Sequence, residues 1–414
     1  MRIAYLTQSY PPMISGAAIV AEQLAVEMAE RGHQVLVITA SDRQEPYFSL
    51  QKNLTVLRLK SIYNPWRIGQ RFLVYQRTAI LNALREFRPG VIHSHDPLQL
   101  GWLGIEYARR ARIPTTLTIH QLPWFVASYL PGFLRVCIET VLWAYARWLS
   151  RNFTSLIVPT PTIATLVSKM TGLKTNVISY GMDLQTFHPP LPADPRPAAP
   201  QSWNLPPGVP LLLHVGRLDT DKDVDRVIHA AAPVIRESEA HMLVVGDGRQ
   251  RNHLMRQCRK LGIAERIHFT GFISKNQGLP DIYRMASVFI TASEIETQGI
   301  VLLEAAASGL PIVAVNATCI PEIVHNGVNG YLTEPGDIPA MSKAIRSILK
   351  DSSISQAMGR ASCALAELHN WEASFDKHER MYHMVSSGMM KVGSPSLVAR
   401  IKERLNWVLN NLVR

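Results

Sequence analysis

The sequence predicts two α/β domains in tandem, each a doubly wound, Rossmann-like parallel sheet, facing each other across a cleft. Three observations lead there. Short β-branched runs alternate with helical stretches along most of the chain, as βαβ units require. A proline-rich segment at 188–208, HPPLPADPRPAAPQSWNLPPG, interrupts that alternation, and such a segment continues neither a helix nor a strand. Finally, 414 residues exceed what one hydrophobic core usually supports.

In chain order, the first unit, residues 1–187, carries the runs IAYLT (3–7), QVLVITA (34–40), TVLRL (55–59), VIHSH (91–95), TTLTIH (115–120), LIVPT (156–160) and NVISY (176–180). Residues 188–208 are the linker. The second unit, 209–370, repeats the pattern with LLLHVG (211–216), HMLVVGDG (241–248), RIHFTGF (266–272), SVFITAS (287–293) and PIVAV (311–315). Residues 371–414 follow as C-terminal helices that cross back to the first unit. Their end, SPSLVARIKERLNWVLNNLVR (394–414), sets Leu397, Val398, Ile401, Leu405, Val408 and Leu412 at helical spacing among Arg400, Lys402, Arg404 and Arg414. It reads as a basic amphipathic helix that either packs across a domain or lies on a membrane surface.

Composition narrows the classes. With 47% hydrophobic and 18% charged residues the chain is a globular protein. No apolar run reaches membrane-spanning length and the start lacks a signal-peptide core, so a cytoplasmic location is expected. Cys137, Cys258, Cys319 and Cys363 are too scattered for a zinc site or a disulfide scaffold and read as reduced core residues. The net charge of +11 is uneven: residues 1–190 hold 19 Lys+Arg against 10 Asp+Glu, and residues 46–151 hold 14 against 4. Trp66, Phe72, Tyr75, Trp124, Phe125, Tyr129, Trp143 and Trp148 are interleaved with these cations. A basic, aromatic-rich surface fits an anionic membrane, where amphipathic rings sit at headgroup depth, better than a merely solvated face or nucleic acid.

The chemistry concentrates in ASEIETQGIVLLEAAASGLPIVA, residues 292–314. Glu296 ends a loop after a strand, and Glu304 lies about one turn into a helix that starts near Gly299. The backbone N–H groups from Gln298 to Val301, including Gly299 and Ile300, are unpaired at that helix start and suit a diphosphate. Gly299 permits close approach of the backbone. Glu304 can accept from ribose hydroxyls, and Glu296, beside Thr297, can hold sugar hydroxyls. A second set, HVGRLDTDKDV (214–224), places Gly216, Arg217 and Lys222 on a loop after a strand. Two cations there neutralise the charge developing on a departing diphosphate. Asp219, Asp221 and Asp223 read as solvated loop and N-cap residues rather than metal ligands. His93 and His95 have metal-pair spacing but no third clustered ligand, and read as cleft lining.

In this order the motifs GRLDTDKD, GDG, and a glutamate followed eight residues later by EAAASGLPIVA resemble the retaining glycosyltransferases of family 4, which have the GT-B fold. YPPMISGAA near the start, SYGMDLQTFHP (179–189) and PEIVHNGVNGYLTEPGD (321–337) extend the resemblance along the chain. It implies that Arg217, Lys222 and Glu296 act in catalysis with His120, at the end of TTLTIH, lining the sugar and acceptor site. It further implies that Gly16 approaches the diphosphate, although Ser15-Gly16 stands where the family often has two glycines. The base is read by backbone groups around Phe272 and Ile273. No cofactor and no metal are implied, and transfer proceeds by same-face attack without a dedicated nucleophile.

ETQG in place of the family's common E-P-F-G, the segment HQLPWFVASYLPG (120–132) and the basic N-terminal half resemble enzymes that glycosylate membrane diacylglycerol. The implied reaction moves glucose from UDP-glucose onto diacylglycerol, at the inner face of the cell membrane. A GDP-mannose-dependent enzyme acting on phosphatidylinositol or an oligosaccharide is the alternative. A non-catalytic nucleotide-sugar-binding subunit is the alternative of another class.

Overall fold

The computed structural model describes residues 1–13, 15–64, 70–123, 132–191, 203 and 205–389, with backbone alone at 132 and 133. The amphipathic segment 394–414, Trp66, Trp124, Phe125 and Tyr129 lie outside the described residues.

In the N-terminal lobe the strands are β1 (Arg2–Leu6), β2 (Gln34–Ala40), β3 (Tyr47–Gln51), β4 (Leu54–Leu59), β5 (Ser61–Tyr63), β6 (Arg71–Leu73), β7 (Val91–Ser94), β8 (Thr115–Thr118), β9 (Ser155–Val158) and β10 (Asn176–Val177). Eight of them form one sheet in the order β10-β9-β8-β7-β1-β2-β4-β3, while β5 and β6 pair separately. The C-terminal lobe contributes β11 (Leu211–Val215), β12 (His241–Val245), β13 (Ile267–Gly271), β14 (Val288–Ile290), β15 (Ile312–Val315) and β16 (Gly330–Thr333), in the order β13-β12-β11-β14-β15-β16.

The central strands are apolar on both faces, because helices cover both sides of a parallel sheet. Every residue of β7, β8, β9, β11, β12, β14 and β15 is buried. Ile3 on β1 lies opposite both Val35 and Val91, and Leu213 on β11 lies opposite both Leu243 and Phe289. Each such side chain contributes about 1.5–3 kcal/mol by the apolar area it removes from water.

The expectation of wholly parallel sheets is corrected at one edge: β3 runs antiparallel to β4. All but one of its five residues are exposed, so no alternation of apolar and polar positions marks it in the sequence. Two cysteine assignments are also corrected. Cys258 and Cys319 are buried, but Cys137 is exposed and Cys363 is half-buried. Trp143, counted with the surface aromatics, is a core residue packed with Leu122, Val158, Ile163 and Val167.

The expected linker at 188–208 is corrected: Ile178 packs in the N-terminal core while Met182 and Phe187 already pack in the C-terminal one, so the chain passes between the lobes at residues 179–182 and returns at 369–371. The two passages run side by side: Met182 N–H donates to His369 C=O at 2.7 Å, and Trp371 N–H donates to Met182 C=O at 3.2 Å. Gly181 has φ +83°, and a Cβ there would stand 2.4 Å from Trp371 Cα. After the return, the helix Trp371–Ser386 packs on the N-terminal lobe through Phe375, Met381, Tyr382 and Val385. Tyr382 Oη lies 3.0 Å from Tyr5 Oη and 2.6 Å from His93 Nδ1. Arg31 clamps the outer face of that helix, reaching Asp376 at 2.7 Å and Glu379 at 2.9 Å. The expected crossing-back of a C-terminal helix is therefore present.

Candidate active site

Strand order reverses between β11 and β14 in one lobe and between β1 and β7 in the other. Crevices at such reversals, beyond the carboxyl ends of the strands, are where doubly wound sheets hold ligands. The candidate residues lie there. Gly216 and Arg217 follow β11, and Lys222 closes the short 3-10 turn Thr220–Lys222. Glu296 lies in the loop after β14. Lys222 Nζ stands 2.5 Å from Glu296 Oε1 and 3.4 Å from Ser293 Oγ, which joins the two motifs in one ion pair.

Arg217 is held by its own loop. Its guanidinium pairs with Asp219 and lies 2.6 Å from Asp221 Oδ2. Asp221 is therefore no solvated loop residue: its side chain is 1% exposed. The glycines of GDG have a packing reason. A Cβ at Gly246 would come within 1.9 Å of Gly216 C=O, and one at Gly248 within 2.5 Å of Leu218. They bring the β12 loop against the backbone that carries Arg217.

The helix Ile300–Ala307 begins after Gly299, whose φ is +74°. Among the described residues, none of the backbone N–H groups from Gln298 to Val301 meets an acceptor. Glu304 is one turn further in, where the Tyr283 hydroxyl donates to its Oε2 at 2.7 Å. Burial pushes its carboxyl up to about 7, although the Tyr283 hydrogen bond and the Lys275 charge pull the other way. Lys275 in turn pairs with Asp183 and stacks 5.1 Å above the Trp371 ring, at the chain's return between lobes. Tyr283 and Lys275 belong to no motif, and nothing in their sequence spacing marks them. Phe272 and Ile273 follow β13 at the same edge of the sheet; Phe272 is 45% exposed.

The N-terminal lobe supplies a second helix start. Ser15 caps Gly16–Glu30, accepting from Ala18 N–H at 3.1 Å. A Cβ on Gly16 would stand 3.5 Å from Ile300 Cδ1, so the two helix N-termini face each other across the cleft. His120 lies beside them: its ring Nε2 is 2.7 Å from His95 Nδ1, and its C=O accepts from Thr297 Oγ1 at 3.2 Å. Burial and the neighbouring His378 depress His120 to about 3, so it is neutral at physiological pH. The reading of His93 as cleft lining is corrected: fully buried, it exchanges hydrogen bonds with Tyr382 and with Thr118 Oγ1 at 2.7 Å.

Thr297 and Gln298 differ from the expected role in one respect. Their backbone borders the helix start, but their side chains turn to the other lobe. Thr297 Oγ1 donates to His120 C=O at 3.2 Å, and Gln298, 1% exposed, bonds residues 179 and 180. Together the lobes present two helix N-termini, Arg217 and Lys222 around one crevice. Such a cradle has the charge and the free backbone N–H groups that suit a diphosphate.

The family model "Glycosyltransferase Family 4" matches residues 14–186, and "Glycosyl transferases group 1" matches 195–363. The chain belongs to the family 4 glycosyltransferases. The enzyme is 28% identical to the alpha-monoglucosyldiacylglycerol synthase of Streptococcus pneumoniae over 340 residues, which is 80% of this chain and 75% of that one. It is 26% identical to the sulfoquinovosyl transferase SQD2 of Arabidopsis thaliana over 84% of this chain and 67% of that one. In three dimensions the glycosyltransferase resembles sucrose-phosphate synthase from Thermosynechococcus elongatus, with a TM-score of 0.79 at 22% identity, covering 94% of this chain and all of that one. Anabaena HepE in complex with UDP-glucose matches with a TM-score of 0.70 at 20% identity, over 92% and 99% of the two chains. The architecture of the enzyme is GT-B.

Proposed function

We propose that this glycosyltransferase moves glucose from UDP-glucose onto diacylglycerol at an anionic membrane surface, retaining the configuration of the sugar. The lipid acceptor rests on one observation. On the helix Gly132–Ser150, Leu134, Cys137, Val141, Ala144 and Trp148 recur at steps of three and four and are all exposed. Trp148 packs 4.4 Å from Trp102, itself 45% exposed, and Leu98 extends the patch. An exposed apolar stripe of this kind marks an interaction surface. Its setting in the basic half of the chain favours an anionic bilayer, and no described helix is long and apolar enough to cross one. The name of the pneumococcal relative supports the same acceptor.

In this reading the diphosphate lies between the helix starts at Gly16 and Ile300, with Gln298, Gly299 and Val301 offering backbone N–H groups. Arg217 and Lys222 neutralise it as the sugar–phosphate bond breaks. Glu296 and His120 orient the sugar, Glu304 accepts from the ribose, and backbone groups at Phe272 and Ile273 border the base. The acceptor hydroxyl attacks on the face the diphosphate leaves, and its proton passes to the departing phosphate oxygen.

The test incubates the enzyme with UDP-glucose or GDP-mannose and liposomes containing diacylglycerol or phosphatidylinositol, following nucleotide release and lipid product. Glucosyl-diacylglycerol is expected, formed faster when anionic lipid is added. A mannosylated phosphatidylinositol, or equal activity on a water-soluble sugar without lipid, overturns the proposal.

A further inference from the structure

Gln298 lies two residues before Ile300, the helix start that faces the N-terminal lobe, yet its side chain points away from the cleft. Both ends of its amide are held: Oε1 accepts from Tyr180 N–H at 2.8 Å, and Nε2 donates to Ser179 Oγ at 2.5 Å. Ser179 Oγ also lies 3.1 Å from His369 Nδ1 and accepts from Gly181 N–H at 3.3 Å. Its C=O accepts from Ser374 Oγ. One buried amide therefore touches the outgoing passage at 179–182 directly and the returning passage at 369–371 through Ser179.

Those two passages are the covalent links about which the lobes can rotate, and hinges of this type are a few residues that absorb the backbone change. Gln298 is joined on its other side to Gly299 and the helix Ile300–Ala307, whose first residue faces Gly16. A rotation at 179–182 must carry that helix start with it or break both amide bonds. Leaving a buried N–H unpaired is costly, so the bonds hold and the motions stay coupled.

We infer that Gln298 is a positioning residue, tying the angle between the lobes to the place of the diphosphate-binding helix start. The coupling itself is geometric; its consequence for turnover rests on the donor site described above.

Pulsed electron paramagnetic resonance tests it on the full chain, with nitroxides on Cys137 and on Lys343→Cys, Cys363 being replaced by Ala. Distances are recorded without nucleotide and with UDP or GDP. Gln298→Met keeps the shape and removes both bonds, whereas Ser179→Ala removes one and serves if the first folds poorly. We expect both variants to broaden the interlobe distances, with and without nucleotide. The nucleotide affinity stays within about threefold of the parent, while kcat falls roughly tenfold. In the double variant the losses are less than additive, as for two ends of one contact. Parent-like distance distributions in both single variants overturn the inference, whatever happens to activity. A parent that binds neither nucleotide overturns the donor-site reading, and the nucleotide-free distances then decide the role of Gln298.

Discussion

Lys222 and Glu296 are 74 residues apart in the chain and form one ion pair at the mouth of the crevice. Each holds the other in place, so the site presents preorganised charge. Replacing Arg217 or Lys222 by Ala is expected to lower kcat/KM by roughly 10²–10³-fold with the fold retained, and Arg217→Ala also to lower the melting temperature, because buried Asp221 loses its pairing with Arg217; steady-state kinetics beside a melting curve checks it. Glu304 gives a pH signature. Its carboxyl is raised from 4.5 to about 7, so the folded protein holds a proton that the unfolded chain has already released. Stability supplied by the neutral form is therefore present below pH 4.5 and lost as pH rises to about 7, by about 2–3 kcal/mol. Glu304→Gln should flatten denaturation midpoints across that window; an unchanged slope sinks the assignment. The charged pairs could be anticipated because their residue types declare their chemistry. The Tyr283 and Lys275 contacts to Glu304, and the inward turn of Gln298, could not, since they depend on which distant elements fold against that helix.

Among the elements, the helix Trp371–Ser386 does the most to unite distant sequence. Gly181 lets its start lie against the outgoing passage, and Tyr382 reaches two N-terminal strands. Gly181→Ala combines a strained φ with a clash on Trp371 and should cost about 1–3 kcal/mol, read as a lower denaturation midpoint. Tyr382→Phe leaves His93 without one of its two partners, buried, and should cost about 1–3 kcal/mol on the same measurement. Most strands were readable from β-branched runs, and their ends shift by one to three residues where the run continues past the last ladder bond, as at 178–180. β3, β5 and β6 lacked such runs, and β16 is hidden in a loop motif. These four are short or exposed, and pairing rather than composition makes them strands.

At the scale of the molecule, a line of buried neutral imidazoles runs from the crossing helix to the cleft. His93, His95, His120 and His378 all have their protonated forms disfavoured by burial, and at the first three neighbouring imidazoles add to the effect. The unfolded chain binds protons at these residues below about pH 6.5 and the folded one does not, so stability falls on acidification, by up to about 1.4 kcal/mol per pH unit for each residue. A melting temperature at pH 5 equal to that at pH 7.5 contradicts this. The apolar stripe adds a second whole-molecule expectation: Val141→Glu with Trp148→Ala should reduce sedimentation with anionic liposomes, and high salt should do likewise, while UDP binding stays intact. The two-lobe plan was readable because each lobe repeats the same alternation; the exposed apolar stripe was only partly so, since Trp143 and Trp148 look alike in sequence and one is core. The return of the chain at 369–371 also orders events in time. The N-terminal strands leave the ribosome first, but Tyr5 and His93 wait for Tyr382, which is synthesised after the entire second lobe. A released chain that ends at residue 370 should hold a protease-resistant C-terminal lobe beside an N-terminal lobe that is still readily cut.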